Sequence, residues 1–245
     1  MADDALRWLA RGEEHLPAGP ADWLSPAEAA RAAGMRFAKR RVEFLVARWT
    51  AKEAMRLLYP AEPAELEVRH HPTGAPEAYL RGRPLPVGIS LTDRAGWAVC
   101  LLGLDPGAVG CDLELVEPRT PGFVADYFTP AERAAIGADP ALLPNLLWSA
   151  KESALKVLRT GLRRDTRSVE VTLGDRTCDG WHALTVRAVE GTVMPGWWRR
   201  YGDFVLTVAT ARPAPPPEPL EDPPALSSAI PAHSWLSRPL TERPR

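Results

Sequence analysis

Trp49-Thr50-Ala51-Lys52-Glu53-Ala54 returns later in the chain as Trp148-Ser149-Ala150-Lys151-Glu152-Ser153. Alanine, lysine and glutamate are common helix formers, so their recurrence alone carries little weight. Tryptophan in the same register carries more. Around the first copy, Phe44, Ala47, Ala51, Met55 and Leu58 fall on one stripe and predict a helix over about 38–58, closed by Tyr59-Pro60. Around the second, Leu143, Leu147, Ala150, Ala154, Val157 and Leu158 predict a helix over about 143–159. Each helix is followed by short β-rich runs. After the first come 66–69, 77–80, 88–91 and 97–102, then 109–116; after the second come 168–173, 181–189 and 204–209. The repeat predicts an α+β fold in which a unit of one helix and a small antiparallel sheet occurs twice about a pseudo-twofold axis. A site is expected in the cleft between the halves. The expected division is an N-terminal lobe over 1–106, a C-terminal lobe over 107–212, and a proline-dense tail over 213–245 that is expected to be disordered.

Composition narrows the function. The chain has 245 residues and a formal net charge of -1, which gives no argument for nucleic-acid binding. No apolar run approaches the ~20 residues that cross a bilayer. Cys100, Cys111 and Cys178 have neither zinc-site nor disulfide-framework spacing, and the N-terminus shows no signal-peptide hydrophobic region. A cytoplasmic protein is expected. There is no glycine-rich phosphate loop and no serine nucleophile elbow.

Two segments carry chemistry. In Gly110-Cys111-Asp112-Leu113-Glu114 a strand puts Asp112 and Glu114 on one face and Cys111, Leu113 and Leu115 on the other. Parallel carboxylates repel unless a cation lies between them; the alternative is an edge strand with one solvated face. On the second helix Trp148, Glu152 and Lys156 share a face turned from the core stripe. Glu152 and Lys156 also form the favourable glutamate-to-lysine pair of an exposed helix, but Trp148 does not suit a purely solvated face. Three carboxylates suit magnesium, and lysines beside them suit phosphate oxygens. Thr129-Pro130-Ala131-Glu132 reads as a capping box that opens a further helix.

Gly110 to Glu114 resembles the Gly-x-Asp-x-Glu signature of the 4'-phosphopantetheinyl transferases, and Trp148 to Lys156 resembles their Trp-x-x-Lys-Glu-x-x-x-Lys signature. The wider likeness covers about 35–210 and is to the large, monomeric, two-lobed type named for the surfactin synthetase activator. The resemblance implies that type's fold, with coenzyme A as donor between the lobes and magnesium on its diphosphate. It implies transfer of the phosphopantetheine arm to a serine of an acyl- or peptidyl-carrier domain of a polyketide, nonribosomal-peptide or fatty-acid synthase, with release of adenosine 3',5'-bisphosphate. By the same resemblance Asp112, Glu114 and Glu152 would hold the metal. Glu132 would help deprotonate the serine, and Lys156 would stabilise the diphosphate or assist proton transfer. Lys151 would contact phosphate. Arg40, Arg41, Arg48 and Lys52 would meet the nucleotide end, with Thr92 at the hydroxyl position of the family's Ser/Thr-His pair. Two positions depart from the pattern. Asp93 stands where relatives have the histidine, and Ala75 stands between Gly74 and Pro76 where many carry a basic residue. Arg94 could supply the missing charge, although on a strand it faces the other way. The competing expectation is a non-catalytic relative that binds coenzyme A or a carrier domain without turnover.

Overall fold

The computed structural model describes residues 5–19, 21–103 and 109–233. The first half runs β1 (Leu6–Gly12), α1 (Pro26–Ala33), α2 (Ala38–Leu58), β2 (Leu66–His70), β3 (Pro76–Leu80), β4 (Arg83–Pro84), β5 (Gly88–Arg94) and β6 (Trp97–Gly103). The second runs β7 (Val109–Leu115), α3 (Pro121–Tyr127), α4 (Pro130–Ile136), α5 (Leu143–Val157), β8 (Val169–Cys178), β9 (Trp181–Ala188), β10 (Val193–Tyr201) and β11 (Phe204–Thr210), followed by β12 (Glu218–Pro219). The strands form a four-stranded sheet ordered β12-β1-β6-β5, a five-stranded sheet ordered β7-β11-β10-β9-β8, and a three-stranded sheet ordered β2-β3-β4. The fold is α+β.

Each long helix covers one large sheet. Ala51, Ala54 and Met55 of α2 pack with Leu9, Ile89, Cys100 and Leu102. Leu147, Ala150, Ala154 and Leu155 of α5 pack with Val169, Leu184, Val186 and Ala209. The two sheets share a third core, in which Trp8, Val99 and Leu101 meet Leu113, Leu206 and Val208.

The lysines of the repeated word are fixed alike. Lys52 Nζ reaches Glu28 Oε2 at 2.8 Å, Pro63 O at 2.8 Å, and Leu66 O. Lys151 Nζ reaches Glu132 Oε2 at 2.8 Å, Thr166 O at 2.8 Å and Val169 O at 2.6 Å. An ammonium has three donors, so both are saturated. Both glutamates close capping boxes, Ser25–Glu28 and Thr129–Glu132, and each also accepts a backbone N–H of the following sheet, from Val68 or Val171. Each lock therefore joins a short helix, a long helix and a strand.

The tail departs from its expectation. Residues 213–233 lie along β1: β12 pairs parallel with Arg7 and Trp8, Leu226 is fully buried in the shared core, and Trp97 Nε1 donates to Ile230 O at 3.0 Å. Trp197 Nε1 of the other sheet donates to Ala214 O at 3.0 Å. Prolines that block helix and ladder propagation still permit an extended strap satisfied by side-chain donors. Trp235 and the rest of the tail lie outside the described residues. Among the described residues no helix is long and apolar enough to cross a membrane.

Candidate active site in the cleft between the halves

Gly110 sets the approach of α5 to β7. A Cβ there would lie 1.9 Å from Ser153 O, so only glycine lets the helix sit this close to the strand. Ser149 Oγ then donates to Asp112 O at 3.0 Å, and Ser153 Oγ pairs with Thr207 Oγ1 at 2.8 Å. This packing brings Glu152 and Lys156 beside the carboxylates of β7.

Asp112 is buried. Its Oδ1 accepts from Thr92 Oγ1 at 3.0 Å and from Lys156 Nζ at 2.9 Å. Its Oδ2 is buried and has no hydrogen-bond partner among the described residues. Glu114 Oε2 faces Arg119 Nη2 at 2.9 Å and Arg94 Nε at 3.1 Å, and Arg94 also reaches Glu117. Glu152 makes no hydrogen bond or ion pair among the described residues. Burial first, and then the Asp112 charge, push the Glu152 carboxyl up to about 7, against the opposing pull of Lys156. Burial and Asp112 also raise Glu114, against Arg94 and Arg119. Burial would lower Lys156, but Asp112, Cys111 and Glu152 outweigh it and hold the ammonium above its ordinary value.

The donor set fits a hard divalent cation. It is all oxygen, it carries an orphaned buried carboxylate oxygen, and its members destabilise one another's charge. Closure is what it lacks: among the described residues no three histidine, cysteine, aspartate or glutamate side chains converge in ligating geometry. Glu114 is turned toward its two arginines.

Lys156, bound to Asp112, lines a cleft of about 990 Å³ bordered from both halves; Asp112, Glu114 and Glu152 are not among its lining residues. The first half gives Arg31, Arg40, Arg48 and His70; the second gives Lys156, Arg159 and Arg163. Arg48 is buried, lies 4.6 Å over the Phe44 ring and contacts His70 Nε2 at 3.2 Å. Burial, Arg31 and Arg48 hold His70 below its ordinary value, so it is a neutral partner rather than a further cation. Asp93, Glu43 and Glu77 line the same cleft, but basic side chains outnumber them. Asp93 lines the cleft and keeps an exposed surface; partial desolvation, and then Glu43, raise its carboxyl, while Lys156 lowers it.

Several expected residues stand elsewhere. Lys52 and Lys151 are fully buried in their locks and reach no cleft surface. Glu132 is buried against Lys151, with both carboxylate oxygens engaged, so it cannot meet an incoming serine. Thr92 braces Asp112 and accepts from Leu113 N at 3.2 Å instead of lining the cleft. Arg41 is exposed and off the cleft, and Arg40 lines it instead. Arg94 points away from the cleft toward Glu114 and Glu117, so it does not offset Asp93. Arg48, Asp93 and Lys156 line the cleft. Arg31, Arg159 and Arg163 were missed, because lone arginines at helix ends carry no pattern.

Comparison with known families bears on the half that holds these carboxylates. Residues 108–207 match the model of the 4'-phosphopantetheinyl transferase superfamily. The matched span covers β7, α3 to α5, β8 to β10 and the first part of β11, and so contains Asp112, Glu114, Glu152 and Lys156. A phosphopantetheinyl transferase superfamily domain therefore carries the carboxylate half of the site. A search of curated proteins finds no match.

Proposed function

We propose that the protein transfers the 4'-phosphopantetheine arm of coenzyme A to a serine of a carrier domain, in the manner of the large two-lobed type. The observation that carries this reading is the buried Oδ2 of Asp112, without a hydrogen-bond partner among the described residues, on a carboxylate held by Lys156, which itself lines a basic cleft. Asp112 and Glu152, with Glu114 beside them, would hold magnesium, which would neutralise charge on the diphosphate.

The residues of the chain divide the remaining work. The basic walls hold the polyanionic donor, and Lys156, tied to Asp112 and facing the cleft, stabilises negative charge on the reacting phosphate. The serine oxygen attacks the β-phosphorus. The bond from that phosphorus to the oxygen bridging to the α-phosphate breaks, and adenosine 3',5'-bisphosphate leaves with the electron pair. Glu132 is engaged in its lock, so Glu152, which makes no hydrogen bond or ion pair among the described residues, takes the serine proton in its place. Burial of Lys151 and Glu132 makes them supports of α5. Their likeness to Lys52 and Glu28 favours an internally duplicated, monomeric enzyme.

A second reading, binding without turnover, is favoured by Asp93 in the cleft and by the arginines on Glu114. Incubation with coenzyme A, magnesium and a panel of apo-carrier domains, followed by intact mass, separates the two. Addition of one phosphopantetheine to any carrier supports transfer. Coenzyme A binding with no addition to any carrier supports the second reading.

A further inference from the structure

α5 ends in a pair of hydrogen bonds, Arg159 N to Lys156 O at 3.0 Å and Thr160 N to Leu155 O at 3.1 Å. This closure needs a left-handed residue just past the helix, and glycine is its usual occupant. The chain puts arginine there, at φ 55. Its side chain forms no hydrogen bond or ion pair among the described residues and lines the cleft. Arg163, one turn on, also lines the cleft. Its Nη2 crosses to the opposite wall and donates to Thr73 O at 2.7 Å, with no carboxylate partner among the described residues. Neighbouring arginines that do not line the cleft are paired: Arg164 with Glu190 and Arg167 with Asp165. Two guanidinium groups are thus left without a counter-charge at the cleft, and one of them sits on a backbone position that disfavours it.

The geometry points to Arg159 and Arg163 as substrate-contacting residues that meet phosphate oxygens of the donor, from the wall opposite Arg31 and Arg48. This deepens the transferase reading and rests on it. Guanidinium groups match phosphate oxygens in bidentate fashion, and the bond to Thr73 O holds Arg163 on the rim until an anion replaces it. Ala75 lies on the same rim as Thr73, so a lysine there would return positive charge to the same place.

The test is calorimetric titration of the full chain with coenzyme A and with adenosine 3',5'-bisphosphate, read beside thermal melting. Arg159→Gly relieves the left-handed position and removes the charge, so it raises Tm and weakens both ligands about tenfold. Arg163→Gln weakens them by a similar factor, and adding Ala75→Lys to it recovers part of the loss. A stabilised Arg159→Gly protein with wild-type affinity removes Arg159 from the proposal. Unchanged binding in Arg163→Gln, or a loss that Ala75→Lys leaves untouched, removes Arg163. A wild-type protein that binds neither ligand overturns the transferase reading and the proposal with it.

Discussion

Lys151→Met separates a structural lysine from a phosphate-binding one. In the wild type its ammonium is fully buried and spends its three protons on Glu132, Thr166 O and Val169 O. Methionine fills the same space and supplies none of these donors. Glu132 keeps two backbone N–H groups, from Thr129 and Val171, but loses its counter-charge inside the core. Removing one partner of a buried ion pair costs about 3–5 kcal/mol. For a chain of this size each kcal/mol moves the melting temperature by roughly 2–4 °C, so a fall on the order of 10 °C is expected. Urea unfolding followed by circular dichroism gives the free energy directly. Adding Glu132→Gln to Lys151→Met should cost less than the sum of the two single changes, because the charge left unpaired is removed. A loss below about 1 kcal/mol, together with weakened coenzyme A binding, would refute the reasoning and return Lys151 to the phosphate site.

Other outcomes follow from the same geometry. Gly110→Ala places a methyl group against Ser153 O and must push α5 from β7, so it should cost stability and, more sharply, abolish divalent-cation binding by separating Glu152 from Asp112; titration with manganese reads this. Magnesium should raise Tm more at pH 8 than at pH 6, since the Glu152 carboxyl, pushed up to about 7, must lose its proton to serve a cation. Equal gains at the two pH values would remove Glu152 from the cation site.

Much of the fold was legible in sequence because the periodic segments were strong. The α2 stripe gives Ala38–Leu58, and the repeated tryptophan word marks the two long helices. The meaning of that word was not legible. A Trp-x-x-Lys spacing does not reveal that Lys52 and Lys151 point inward, because a buried lysine depends on carbonyls and a glutamate brought from remote segments. β10 was hidden by Pro195 and Gly196, residues that locally signal a turn but here lie between β9 and β11. The strap over 213–233 was hidden because it is ordered by tryptophan N–H donors and by Leu226, not by its own periodicity. Spacing puts Asp112 on one strand face and Glu152 and Lys156 on one helix face, but that the two faces meet depends on the packing of α5 on β7 at Gly110. The arginines on Glu114 come from the last residue of β5 and from the loop before α3, and nothing local announces them.

In the proposed transfer the carboxylate pair under Lys156 does the essential work. The most direct measurement of this is the magnesium dependence of phosphopantetheine addition to an apo-carrier domain, read by intact mass, for wild type and Asp112→Asn. Magnesium-dependent addition is expected for the wild type, with a rate at least about a hundredfold lower for Asp112→Asn once circular dichroism has checked that the variant folds. Addition by Asp112→Asn at the wild-type rate, or wild-type addition unaffected by removal of magnesium, would contradict that role.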